Sequence, residues 1–272
     1  MTLHSFLRRF PRLPAGFPLA AAAIVFALAA LPPAQAQTPG LPGIFGADNR
    51  LVLDSSRWPW SAIGRVNLAT GGFCTGVLVA PRRVLTAAHC LYDKEVDRWI
   101  HPSDIHFLPG YDRGDYAAHG RAIDVVLSDY TPPADRPDTA SLERDWAVIL
   151  LADPMPVPPI PLVAVSYDHL NAQSPRLVRA GYSQDRAHVL AGHDGCQLAG
   201  TSHHGRLLLH ACDGTFGDSG SPLLAFVDGQ PVVVAVTAAV VRTAEGQALG
   251  AAVPVSTILA AVPDLHVAAL DQ

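Results

Sequence analysis

Apolar residues fall along this chain in short runs, not at helical spacing. In the first half the runs cover residues 62–68, 72–80, 83–91, 104–111, 121–130 and 145–152, with turn-forming residues between them. Such punctuation reads as the strands of an antiparallel sandwich or barrel. The second half repeats it at 176–182, 205–212, 221–227, 231–241 and 248–255. A last run, 255–262, predicts a brief terminal helix. Between the halves lies "DPMPVPPIPL", residues 153–162, with five prolines. Proline removes a donor from a sheet ladder, so this stretch is expected as a crossover or an edge. The pattern predicts an all-β chain of two similar blocks, 48–158 and 159–272.

The N-terminus follows another pattern. Arg8, Arg9 and Arg12 precede an apolar run from Phe17 to Leu31, and Ala34-Gln35-Ala36 supplies small residues behind it. This is the layout of a signal peptide over 1–36. The apolar run is shorter than the ~20 residues of a membrane-spanning helix. An uncleaved anchor is the alternative, and twin-arginine export is disfavoured by Pro11. The expectation is a secreted or periplasmic protein without a membrane segment after cleavage. Residues 37–47, rich in Gly and Pro, are expected to be flexible or a short propeptide.

Removal of 1–36 leaves 16 basic residues against 24 acidic ones, a net charge of −8. Lys94 is the sole lysine and no basic block occurs, which argues against a nucleic-acid partner. The four cysteines, Cys74, Cys90, Cys196 and Cys212, are even in number in a chain marked for export, so disulfides are favoured. Three pairings are possible. The sequence-local one, Cys74–Cys90 with Cys196–Cys212, is preferred. Without a Cys-x-x-Cys spacing, zinc is a weak reading. His188, His193, His203, His204 and His210 crowd one stretch, yet loop histidines are more often solvated than metal-bound. No metal and no cofactor is expected.

Candidate chemistry begins at "GTFGDSGSP", residues 214–222. Gly, Asp, Ser and Pro also make ordinary turns. A serine hydroxyl becomes a nucleophile only beside a base. His89 in "LTAAHC" (85–90) is a candidate base, and Asp145 in "RDWAVILL" (144–151) heads an apolar run that could fix an orienting acid.

Taken together, these three stretches resemble the trypsin-like, chymotrypsin-fold serine proteases, in the chain order His, Asp, Ser. The likeness extends from about Asp48 to the end of the chain. Cys212 stands seven residues before Ser219, and this spacing, the "GSP" ending, "DNR" (48–50) and "PWSAIGR" (59–65) are closer to secreted bacterial members, including glutamyl endopeptidases. The resemblance implies two six-stranded antiparallel barrels with an active site between them, and a short C-terminal helix. It implies a monomeric serine endopeptidase with protein or peptide substrates and catalytic residues His89, Asp145 and Ser219. The backbone N–H groups of Gly217 and Ser219 would form the oxyanion hole. A bridge from Cys74 to Cys90 would clamp the histidine loop.

The same resemblance places Asp213, Thr237, Ala238 and Ala239 at the substrate pocket. Asp213 lies six residues before Ser219, where trypsins carry the acid that selects Arg or Lys. Thr237 stands where glutamyl endopeptidases have a histidine, which argues against a glutamate preference. In many members a freed N-terminal amine pairs with the acid before the nucleophile, here Asp218. No Arg- or Lys-ending activation site precedes an Ile-Val-like start here. The alternative function is a silent homologue that binds proteins; the intact His89, Asp145 and Ser219 favour the enzyme.

Overall fold

A computed structural model describes residues 41–132, 139–244 and 246–265. The signal segment expected at 1–36 lies outside them. The described residues all fall in one compact unit, and none of their helices is long and apolar enough to cross a membrane.

The strands of the first half are β1 (Arg50–Val52), β2 (Ile63–Leu68), β3 (Phe73–Ala80), β4 (Arg83–Thr86), β5 (Tyr92–Asp93), β6 (Arg98–Trp99), β7 (Ile105–Pro109), β8 (Gly120–Leu127) and β9 (Ala147–Leu151). Those of the second half are β10 (Arg176–Gly181), β11 (Ala191–Asp194), β12 (Leu198–Ser202), β13 (Leu207–His210), β14 (Pro222–Val227), β15 (Gln230–Arg242) and β16 (Ala248–Pro254). A short helix, Val255–Ala261, follows directly, as the last apolar run predicts.

Six strands close into a barrel in the order β2-β3-β4-β9-β8-β7, all antiparallel. One face of its strands carries Val66, Leu78, Val84, Phe107, Ile149 and Leu151, each fully buried. β8 follows the alternation of a strand with one wet face. β3 is instead buried on both faces, because its outer side meets the second half. There Thr75 N–H donates to the Ser219 carbonyl at 2.9 Å.

The strands of the second half pair as an eight-stranded sheet, β1-β11-β10-β14-β15-β16-β13-β12. Two details differ from a simple division into blocks. β1, expected to open the first block, pairs with β11 of the second, Leu51 facing Gly192. The order of the second sheet also counts eight strands where six were expected, β1 among them. The proline-rich crossover runs over both halves, with Ile160 N–H bonded to Leu78 O at 2.9 Å and Leu162 bridging Val233. Its missing donors cost nothing at a seam.

Both disulfides take the sequence-local pairing, with Cα–Cα distances of 6.1 Å for Cys74–Cys90 and 4.9 Å for Cys196–Cys212. The first ties β3 to the turn that follows β4. The second lies in a small core with Leu177, Leu208, Leu223 and Val234. Closing a loop of this size stabilises by about 3 kcal/mol in the chain-entropy account. Replacing Cys74 and Cys90 together by Ser should therefore lower the unfolding free energy by about that amount. Denaturant titration measures it, and an unchanged midpoint would contradict the clamp.

Candidate active site

His89 lies in a short 3-10 turn, Ala88–Leu91, placed by the end of β4. Asp145 precedes β9 and is 1% exposed. Its carboxylate takes two bonds from one residue: His89 N–H at 2.9 Å on Oδ1 and His89 Nδ1 at 2.6 Å on Oδ2. Because that carboxylate only accepts, Nδ1 carries the proton and Nε2 is left as an acceptor. Ser219 Oγ stands 2.8 Å from Nε2. The structure thus brings together all three residues singled out in the sequence, two from the first half and one from the second.

The Ser219 loop is held from several sides. Thr75 Oγ1 donates to Gly217 O at 3.1 Å and accepts from Tyr182 N–H at 2.8 Å. Thr86 Oγ1 donates to Thr75 O at 2.7 Å. Gly217 and Gly220 have φ of +88° and +81°, and a Cβ on Gly220 would stand 2.1 Å from Thr75 O. A side chain there is excluded both by the backbone conformation and by the contact.

The same loop sets two N–H groups free. Phe216 O accepts from Gln184 N–H at 2.7 Å, and Asp218 O accepts from Ser221 N–H at 2.9 Å. Trans peptide geometry then turns the N–H groups of Gly217 and Ser219 the opposite way. Neither donates to a group among the described residues.

Asp218 is buried at 2% exposure and forms an ion pair with Arg179, itself 1% exposed. Its other oxygen accepts from Thr215 N–H at 2.8 Å and from the Ser183 hydroxyl. Ser183 Oγ also accepts from Arg50 Nη1 at 2.8 Å. The Arg50 side chain is buried between Asp48 and Asp185, at 2.9 and 2.7 Å. These bonds hold Asp48 down to about 2 and lower Asp185 as well, while the two acids raise Arg50, so all three stay charged. A chain of polar contacts therefore joins the start of β1 to the residue before Ser219.

A cleft of about 870 Å³ opens beside the triad, lined by His89, Asp145 and Ser219. Thr237, Ala238 and Ala239 line it too. Asp213 does not, and here the sequence reading is corrected. Its carboxylate accepts from Phe45 N–H at 2.8 Å, Asn49 N–H at 2.9 Å and Asn49 Nδ2 at 3.0 Å, and is fully buried. Gly214 N–H bonds to Gly43 O at 2.9 Å. Residues 43–49, expected as flexible, are thus pinned to the wall of the cleft, and Asp213 is spent on holding them.

Sequence reasoning missed Thr75, Arg179, Ser183, Arg50 and His210. Arg179 and His210 left a signal: each is an ionisable residue set within apolar neighbours, in "RLVRAGY" and "RLLLHAC". Burying the Arg179 charge requires a buried partner. Thr75, in a loop-spanning contact, left none. Of the crowded histidines, His188 meets the Tyr111 hydroxyl at 3.1 Å and His193 meets Asp213 at 3.3 Å. The one cluster of ligand-type atoms among the described residues is Cys74, His89 and Cys90, whose sulfurs are bonded to each other.

Over 54 residues the chain is 43% identical to human "Inactive serine protease 35", and over 51 residues 37% identical to the glutamyl endopeptidase of Bacillus licheniformis. Each match covers 18% of this chain, and they span only 12% and 16% of those relatives. Among solved structures, a Glu endopeptidase in complex with MPD superposes with a TM-score of 0.61 at 19% identity, over 82% of this chain and 99% of that one. The VesB protease of Vibrio cholerae gives 0.58 at 20% identity, over 79% and 66%. These two share the fold. Residues 54–262 match the family profile described as Trypsin, and the chain belongs to that family of serine proteases.

Proposed function

We propose that the protein is an exported serine endopeptidase that works through an acyl-enzyme on Ser219. The observation that carries this reading is the unbroken relay Asp145–His89–Ser219, at 2.6 and 2.8 Å. Ser219 Oγ attacks the substrate carbonyl while His89 Nε2 takes its proton. The tetrahedral oxyanion accepts from the Gly217 and Ser219 N–H groups, one such donor being worth about 3 kcal/mol of barrier. His89 returns the proton to the leaving amine, and water then cleaves the ester by the same steps in reverse. The two disulfides and the signal-like N-terminus support export. The resemblance to an inactive relative is confined to a short stretch, and the complete relay favours hydrolysis over a silent binding role.

The enzyme needs no freed N-terminal amine in this reading. Arg179 already supplies the cation for Asp218, so the loop is set without proteolytic maturation. The 43–49 segment stays in the mature protein, because it holds Asp213 and Gly214.

Two sets of substitutions test the reading. Ser219→Ala and His89→Ala should each cost nearly as much as both together, on the order of a millionfold in kcat. Asp145→Asn should cost about ten-thousandfold through the wrong histidine tautomer. Hydrolysis of a peptide library by the purified variants measures this, with covalent labelling of wild type by a serine-directed phosphonate. Wild-type turnover by Ser219→Ala would end the proposal.

Arg179→Met leaves the Asp218 carboxylate buried and unpaired. The expected loss is about 3–5 kcal/mol of stability, with loss of phosphonate labelling in whatever protein remains folded. Retained labelling and an unchanged denaturation midpoint would show that the pair does not set the loop.

A further inference from the structure

We propose that the pocket beside Ser219 selects a carboxamide side chain, glutamine or asparagine, at the residue whose carbonyl is attacked, and that His210 reads it. The proposal rests on the endopeptidase reading above and names its substrate class.

Among the described residues of the lining, no carboxylate is left to meet a cationic side chain. Asp213 faces the N-terminal segment, Asp145 is bonded to His89, and Asp218 is paired with Arg179. Beyond the Arg179–Asp218 pair, where Arg179 Nε also lacks a hydrogen-bond partner, three polar atoms of the cleft lining are buried without one among the described residues: His210 Nε2, Thr237 Oγ1 and Thr215 Oγ1. Buried polar atoms are nearly always satisfied, so three around one cavity point to a ligand that completes them.

His210 reaches the cavity because of the strand beside it. In the sheet His210 faces Gly250, which faces Val240 across β16, and all three line the cleft. The imidazole lies where a side chain of Gly250 would be, with Cε1 2.1 Å from the position of a Cβ. Nδ1 accepts from Cys212 N–H at 3.2 Å. Burial first, then the charges of Arg179 and His193, push the ring down to about 3. The ring is therefore neutral at ordinary pH and Nε2 carries its one proton, a fixed donor.

A donor beside two hydroxyls, which give and accept, complements a carboxamide on both sides. A carboxylate would enter without a free cation: Arg179 is held by Asp218, and the other cations of the lining, Lys94 and Arg242, are exposed at its rim. Burying an unpaired charge is strongly unfavourable. An aliphatic side chain would leave the three polar atoms unsatisfied.

Fluorogenic peptides that differ only at the attacked residue test this, with Gln, Asn, Glu, Met and Arg compared. Gln or Asn should exceed Glu, Met and Arg at least about tenfold in kcat/KM. Cleavage that depends on Ser219 but is led by Glu, Met or Arg overturns the proposal and leaves the protease reading standing. Thr237→Val and His210→Phe should each lower the Gln-over-Met ratio by about tenfold. If His210→Phe does not fold, Thr237→Val decides, and an unchanged ratio overturns the assignment. Calorimetry on Ser219→Ala protein with product peptides ending in Gln or Met judges the pocket without turnover. Tighter binding of the Gln peptide supports the proposal, and equal binding overturns it even if no peptide is hydrolysed.

Discussion

The structure depends on one buried ion pair, Arg179 with Asp218. A pair of charges taken out of water is costly unless each is bonded on every side. Here the surroundings supply several of those bonds: Thr215 N–H and the Ser183 hydroxyl on Asp218, and the Asp213 carbonyl on Arg179 Nη1 at 2.8 Å, while Arg179 Nε has no hydrogen-bond partner among the described residues. Each of those partners belongs to a segment that must itself be in place. The pair therefore organises the nucleophile loop, the strand β10 and, through Ser183 and Arg50, the arrival of the chain at β1.

The loop also needs the first barrel. Thr75 lies in the barrel wall, yet its backbone and hydroxyl both bind residues next to or within the Ser219 loop. The hydroxyl of Thr86 fixes Thr75 in turn, only three residues before His89. His89 and Ser219 are thus positioned by a shared set of bonds across the seam between the halves. Their 2.8 Å contact follows from this scaffold, with no bridging segment of its own.

The sequence made the strands, the disulfide pairing and the triad legible because each leaves a local signature. Short apolar runs parted by turn residues, an even set of cysteines behind a signal-like N-terminus, and short motifs around His89 and Ser219 can all be read without knowing what lies across the fold. The pocket could not be read this way. Asp213 occupies the position expected of a selective acid, but the direction of its side chain is decided by Phe45 and Asn49, more than 160 residues away. Arg179 and His210 were visible as polar intrusions in apolar strands, while their partners came from other strands. The register of β1 on β11 was hidden for the same reason: three residues carry too little pattern to announce which sheet they join.

The pairing of β1 with β11 bears on how the molecule avoids its own kind. An eight-stranded sheet with free ends offers unpaired backbone groups to any passing strand. One end is covered by β1, only three residues long, whose exposed Leu51 and Val52 are followed at once by the turn at Asp54. At the other end β12 is interrupted by a bulge between Leu198 and Gly200, beside the Cys196–Cys212 bridge. Short and bent borders are poor templates for strand addition. Both borders of this broad sheet therefore offer little straight backbone for a further strand to pair with.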